Sequence, residues 1–165
     1  MRKYLTTAMA IALMSGVSYA DLQNVEIGGE LRLRGANAKG ELWAIAIETP
    51  NTSGRSVHSI AKLTDAGVAT SGDYRNFFEH DGTVYSHTID PRNGYPVAHE
   101  AASVTVVAET AASADAMATA LLVLGPDDGL ELAEREEIAA FYLLRDGEEF
   151  TELASTLFTS QVLMQ

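Results

Sequence analysis

Three clusters of residues carry side chains whose types and spacing could do chemistry. The first is Ala69-Thr70-Ser71-Gly72-Asp73-Tyr74, a predicted strand running into a turn of small residues. Such a turn lets backbone N–H groups approach an anion, and the hydroxyls add further donors. The second is His87-Thr88-Ile89-Asp90-Pro91-Arg92-Asn93-Gly94-Tyr95-Pro96. His87 there could act as a base, an acid or a hydrogen-bond donor to phosphate. The third spans residues 113–120, where Asp115 and Thr119 lie four apart on a predicted helix. That spacing stacks a carboxylate and a hydroxyl on one helix face. Hard cations such as Mg²⁺ take oxygen ligands of this kind and complete their shell with water and substrate phosphates.

Each cluster also has an ordinary structural reading. Ser-Gly-Asp is a common turn in its own right. His87 fits a strand histidine bonded to a backbone carbonyl, with Asp90-Pro91-Arg92-Asn93 as a type I turn. Asp115 suits the positive end of a helix dipole, and Thr119 can bond back to a carbonyl of its own helix.

The elements that must position these residues follow from hydrophobic period and turn chemistry. Residues 25–34 alternate as one strand, interrupted at Gly28-Gly29, and residues 43–47 form a second strand ending before Pro50. Residues 57–63 and 68–70 are short extended pieces. Residues 74–80 and 83–89 flank Asp81-Gly82, a strong hairpin signal. Residues 103–108 are a β-branched strand, and residues 138–144 pair with 149–153 across Asp146-Gly147. Residues 113–124 read as a helix whose apolar positions are Ala114, Met117, Leu121 and Leu124, stopped by Gly125 and Pro126. Residues 127–137 read as a shorter acidic helix. The fold class is α+β, a largely antiparallel sheet with two helices.

With 165 residues the chain has room for one domain with a real core. Its 23 acidic and 11 basic residues give a net charge of −12. This excess argues against nucleic acid as a partner, and it makes a cation necessary if the substrate carries phosphate. There are no cysteines, so disulfides and thiolate metal sites are excluded. Residues 1–20 combine a basic start at Arg2 and Lys3, an apolar stretch and Ser18-Tyr19-Ala20. This is the pattern of a cleavable export signal, too short in its apolar part to span a membrane. Cleavage would remove two basic and no acidic residues, taking the charge from −12 to −14.

Taken in order, the clusters resemble the FAD:protein FMN transferase family, the ApbE family. The resemblance begins at Gly28-Gly29-Glu30 and continues through Trp43 to Pro50. It takes in the three clusters and closes at Leu122-Val123-Leu124-Gly125. It implies Mg²⁺-dependent transfer of the FMN part of FAD to a Thr or Ser hydroxyl of an acceptor protein, with release of AMP. It also implies roles for particular residues. Asp115 and Thr119 are metal ligands, and His87 lies near the flavin phosphate and assists proton removal from the acceptor. Ser71, Gly72 and the backbone around Val97 line the same pocket. Export fits a protein acting outside the cytoplasm, in the periplasm, on subunits of membrane redox complexes, itself peripheral to the membrane at most.

Family members are considerably longer. The resemblance therefore makes residues 21–165 the C-terminal part of a flavin transferase domain, an incomplete version of its fold with about the first half absent. Two alternatives follow: a non-catalytic remnant that binds flavin or metal, and hydrolysis of FAD to FMN and AMP. Uncovered strand edges and apolar surface predict low stability or self-association.

Overall fold

The computed structural model describes residues 25–26, 30–51, 54–74, 76–80 and 83–164. The elements in chain order begin with β1 (Val25–Glu26), β2 (Glu30–Arg32), β3 (Trp43–Glu48), β4 (Val57–Leu63) and β5 (Gly67–Gly72). Then come β6 (Phe77–His80), β7 (Thr83–Ser86), β8 (Ile89–Asp90), β9 (Tyr95–Pro96) and β10 (Ala101–Ala108). Helices α1 (Ala111–Leu124) and α2 (Pro126–Arg135) precede β11 (Ala139–Asp146) and β12 (Glu149–Ala154). The chain closes with α3 (Thr156–Gln161) and β13 (Leu163–Met164).

One sheet runs β12-β11-β10-β5-β2, wholly antiparallel, and a second runs β1-β3-β4-β13, with β1 parallel to β3. The fold is mixed and mostly antiparallel. The central strands of the five-stranded sheet are covered on both faces. Val68, Ala139, Phe141 and Leu143 pack with Ile45, Ile47, Ala61 and Leu63 of the smaller sheet and with Phe158 of α3. Ala69, Val104, Val106, Ala140 and Tyr142 pack instead with Ala114, Ala118, Leu121 and Leu122 of α1 and Ala133 of α2. A strand covered on both sides has no reason to alternate. This explains the near-continuous apolar character of β10 and β11.

Helix α1 starts two residues earlier than its apolar pattern suggests, because Thr110 caps it by accepting the Ser113 N–H at 3.1 Å. Its buried stripe is Ala114, Ala118, Leu121 and Leu122, whereas Met117 is 40% exposed. At about 100° per residue, Met117 falls beside this stripe rather than within it. The two alanines let α1 lie close on β5 and β10. Gly125 stops the helix with φ 86°, its N–H bonded to Leu121 O at 3.1 Å, and Pro126 opens α2 directly.

Three expectations need correction. The predicted strand 25–34 is two strands in different sheets, β1 beside β3 and β2 beside β5. A strand's period sets its two faces and not the neighbour it joins, and Gly28-Gly29 lies outside the described residues. Strands β6 and β7 cover only residues 77–80 and 83–86, while the predicted turn Asp81-Gly82 lies outside the described residues. A third helix, α3, follows β12, capped by Ser155, which accepts the Phe158 N–H. The expected export signal, residues 1–20, also lies outside the described residues. No described helix is long and apolar enough to cross a membrane.

Candidate functional site

Strand β5 and helix α1 bring two of the predicted site residues together. Ser71 follows Ala69 on the face of β5 that meets α1, and its Oγ lies 2.9 Å from Thr119 Oγ1. Both hydroxyls are accessible to solvent. Asp115, one turn before Thr119, is exposed, and its side chain makes no hydrogen bond or ion pair with any described residue. A carboxylate and a hydroxyl therefore stand on one face with a second hydroxyl beside them. These are hard oxygen donors of the type Mg²⁺ takes. Among the described residues no group of three His, Asp or Glu side chains could hold a metal by itself. A Mg²⁺ held by Asp115 and Thr119 would thus keep positions for water and substrate oxygens, as Mg²⁺ commonly does.

Gly72 closes β5, and its need for glycine is visible in the packing. A Cβ there would lie 2.6 and 2.9 Å from ring carbons of Tyr74 and 3.0 Å from Ala102 O. Tyr74 is buried, with its hydroxyl donating to Glu48 Oε2 at 3.2 Å. Asp73 is held by Arg145 of β11, which donates Nη1 to Oδ2 at 2.9 Å and Nη2 to Oδ1. A paired guanidinium and a packed ring thus fix the turn after Ser71.

His87 follows β7 directly. It is exposed, and its backbone N–H and its Nδ1 both reach Asn76 O, at 3.3 and 2.7 Å. A carbonyl can only accept, so Nδ1 carries the proton and Nε2 keeps its lone pair when the ring is neutral. The backbone carbonyl that a structural histidine would need therefore also fixes the tautomer a general base needs.

The turn after His87 is built around Asp90. This carboxylate is buried and accepts the Arg92 N–H at 2.8 Å, Arg92 Nε at 2.9 Å and Arg92 Nη2 at 2.8 Å. The Arg92 side chain, its backbone N–H and its charge hold the Asp90 carboxyl below the usual carboxylate range. Asp90 O accepts from Asn93 at 3.3 Å and Gly94 at 2.8 Å, giving the expected turn. The Val97 N–H donates to Thr88 O at 3.0 Å, so this amide serves the closure of the loop.

Arg92 stood out in the sequence only as a turn residue of the second cluster, and His99 and Arg145 did not stand out. Their partners Val123, Leu122 and Asp73 are 31, 23 and 72 residues away, beyond the reach of any local spacing rule.

The family model described as the ApbE family matches residues 9–142. The chain belongs to the ApbE family. The match starts inside the stretch read as an export signal. The FAD:protein FMN transferase of Haemophilus influenzae is 46% identical over 135 residues, covering 81% of this chain and 39% of that protein. The Escherichia coli K12 protein of the same name is 41% identical over 136 residues, covering 82% and 39%. The solved flavin transferase ApbE from Vibrio cholerae superposes with a TM-score of 0.70 at 40% identity, covering 82% of this chain and 43% of that one. The apo flavinyl transferase ApbE of Pseudomonas stutzeri gives 0.66 at 44% identity, covering 82% and 42%. The chain spans about two-fifths of the length of the curated relatives it matches.

Proposed function

We propose that this chain carries the metal-and-phosphate edge of a flavin transfer site. The reaction is transfer of the FMN moiety of FAD to a Thr or Ser hydroxyl of an acceptor protein. The acceptor oxygen forms a bond to the FMN phosphorus, the phosphoanhydride bond breaks, and AMP departs with the bridging oxygen. The observation that carries this reading is the convergence of Ser71 on Thr119, one turn from an unpaired Asp115. Family membership gives that convergence its chemistry.

Asp115 and Thr119 would hold the Mg²⁺. Bound there, Mg²⁺ would offset the charge of a pyrophosphate that an acidic protein otherwise repels. Ser71 can donate to a phosphate oxygen from its place beside Thr119. His87 can take the acceptor hydroxyl proton at Nε2, since Nδ1 is engaged by Asn76 O. The expected location is the periplasm, and the expected acceptors are subunits of membrane redox complexes.

Incubation of the chain with FAD, Mg²⁺ and a Thr-bearing acceptor protein, followed by flavin fluorescence on a denaturing gel, tests this reading. A fluorescent acceptor band with stoichiometric AMP is expected. AMP without labelled acceptor identifies hydrolysis, and neither product at high protein concentration leaves a binding remnant.

A further inference from the structure

Helix α1 has no basic residue in its last turn, yet its terminal carbonyls form the negative end of the helix dipole. They are met from outside the helix. His99 Nε2 donates to Leu122 O at 2.7 Å, and Arg92 Nη2 donates to Val123 O at 3.3 Å. His99 Nδ1 accepts the Ala101 N–H at 3.3 Å, so the proton of the neutral ring sits on Nε2, where Leu122 O needs it.

The same Arg92 guanidinium grips both oxygens of buried Asp90, with Nε at 2.9 and 3.0 Å and Nη2 at 2.8 Å. Its Nη1 lies 3.7 Å from Asp128 Oδ2 at the start of α2. One rigid fork therefore ties three segments together: the loop carrying His87, the end of α1 and the beginning of α2. Thr119 lies one turn before Val123 on α1, and Asp115 one turn earlier. On the other side, Asp90 shares its loop with Thr88, which Val97 closes.

We propose that Arg92 is a positioning residue, seconded by His99, that sets the register of the His87 loop against the Asp115–Thr119 face of α1. It acts through the loop and touches neither FAD nor acceptor. This role rests on the flavin-transfer reading. The clamp itself rests on the hydrogen bonds alone.

The test is Arg92→Lys, which keeps the charge but loses the fork that holds Asp90 and Val123 together. Amide exchange followed by NMR should quicken about tenfold or more at Asn93, Gly94 and Val97, while β10 and β11 amides stay unchanged. His99→Ala, which keeps the hydrogen bonds between Arg92 and Asp90, should give a weaker form of the same pattern and serves if Arg92→Lys folds poorly. In flavin transfer, Arg92→Lys should lower kcat by about tenfold or more with the KM for FAD unchanged. In a His87→Ala background the same change should add nothing. Wild-type exchange rates at residues 93, 94 and 97 in both variants would overturn the clamp. A rise in KM, or an undiminished loss without His87, would overturn the positioning role. No transfer by the wild-type chain sinks the flavin-transfer reading instead, and the clamp then stands or falls on the exchange rates.

Discussion

Replacing Gly72 with alanine separates two reasons for a glycine at this position. If Gly72 serves only to let a phosphate approach the backbone, Gly72→Ala should leave the apo protein at least as stable as before. Stiffening the unfolded chain would even add about 0.4–1 kcal/mol. The packing argues otherwise. The new methyl would stand 2.6 and 2.9 Å from the Tyr74 ring and 3.0 Å from Ala102 O, against β10. Neither neighbour yields easily, because Tyr74 is buried with its hydroxyl on Glu48 and Ala102 belongs to a central strand. Overpacking of this kind costs about 1–3 kcal/mol, which outweighs the chain-entropy gain. The net loss, about 0.5–2.5 kcal/mol, lowers Tm by roughly 1–10 °C for a domain of this size. Thermal melts of the two proteins without ligand, followed by circular dichroism, decide the matter. An unchanged or higher Tm in Gly72→Ala would refute the reasoning.

Other outcomes follow from the same structure. Ser155 is fully buried, and its Oγ takes the N–H groups of Ala140 and Phe158 while donating to Ile138 O. Ser155→Ala strands these groups and should cost about 2–4 kcal/mol in urea unfolding. Glu137 holds the left-handed position after α2 with φ 52°, and the Ile138 N–H bonds to Ala133 O across it. Glu137→Gly relieves that strain and should raise stability by about 0.5–1 kcal/mol, read in the same experiment. Asp90 has a depressed carboxyl pKa, held down chiefly by the Arg92 side chain. Its contribution should be complete above the unfolded value of about 4 and lost as pH falls through the lower folded value. The loop amides of Gly94 and Val97 should therefore keep constant protection from pH 5 to 8, apart from intrinsic exchange, and lose it only in acid.

Local chemistry made some of this fold legible. The β11–β12 hairpin is the expected pairing of residues 138–144 with 149–153 across Asp146-Gly147, and Gly147 does take φ 65°. The bounds of β4 are those of the short extended piece expected at residues 57–63. The end of α1 is written in Gly125-Pro126. The branching of residues 25–34 into two sheets was not legible, because a strand's period says which faces it has and not which neighbour it joins. Short α3 was missed because six residues carry too little period to register, and its capping serine is recognisable only from the N–H groups it meets.

At the candidate site, the spacing of Asp115 and Thr119 indicated a shared helix face. That Ser71 would reach Thr119 depends on β5 packing against α1, a contact 48 residues apart in sequence. His87 was legible as a candidate base, whereas its tautomer needed Asn76 O to be seen. Burial of Asp90 and the bridge from Arg92 to α1 were likewise tertiary facts. Met117 fell outside the stripe because two alanines, not the methionine, let the helix approach the sheet.

Calorimetric titration of FAD into the chain, with and without Mg²⁺, tests the central claim most directly when wild type is set beside Asp115→Ala. The account predicts Mg²⁺-dependent FAD binding in the wild type that the substitution abolishes, while Tm changes little because Asp115 is exposed and unpaired. FAD binding that is equally strong without Mg²⁺, or unaffected by Asp115→Ala, would contradict it.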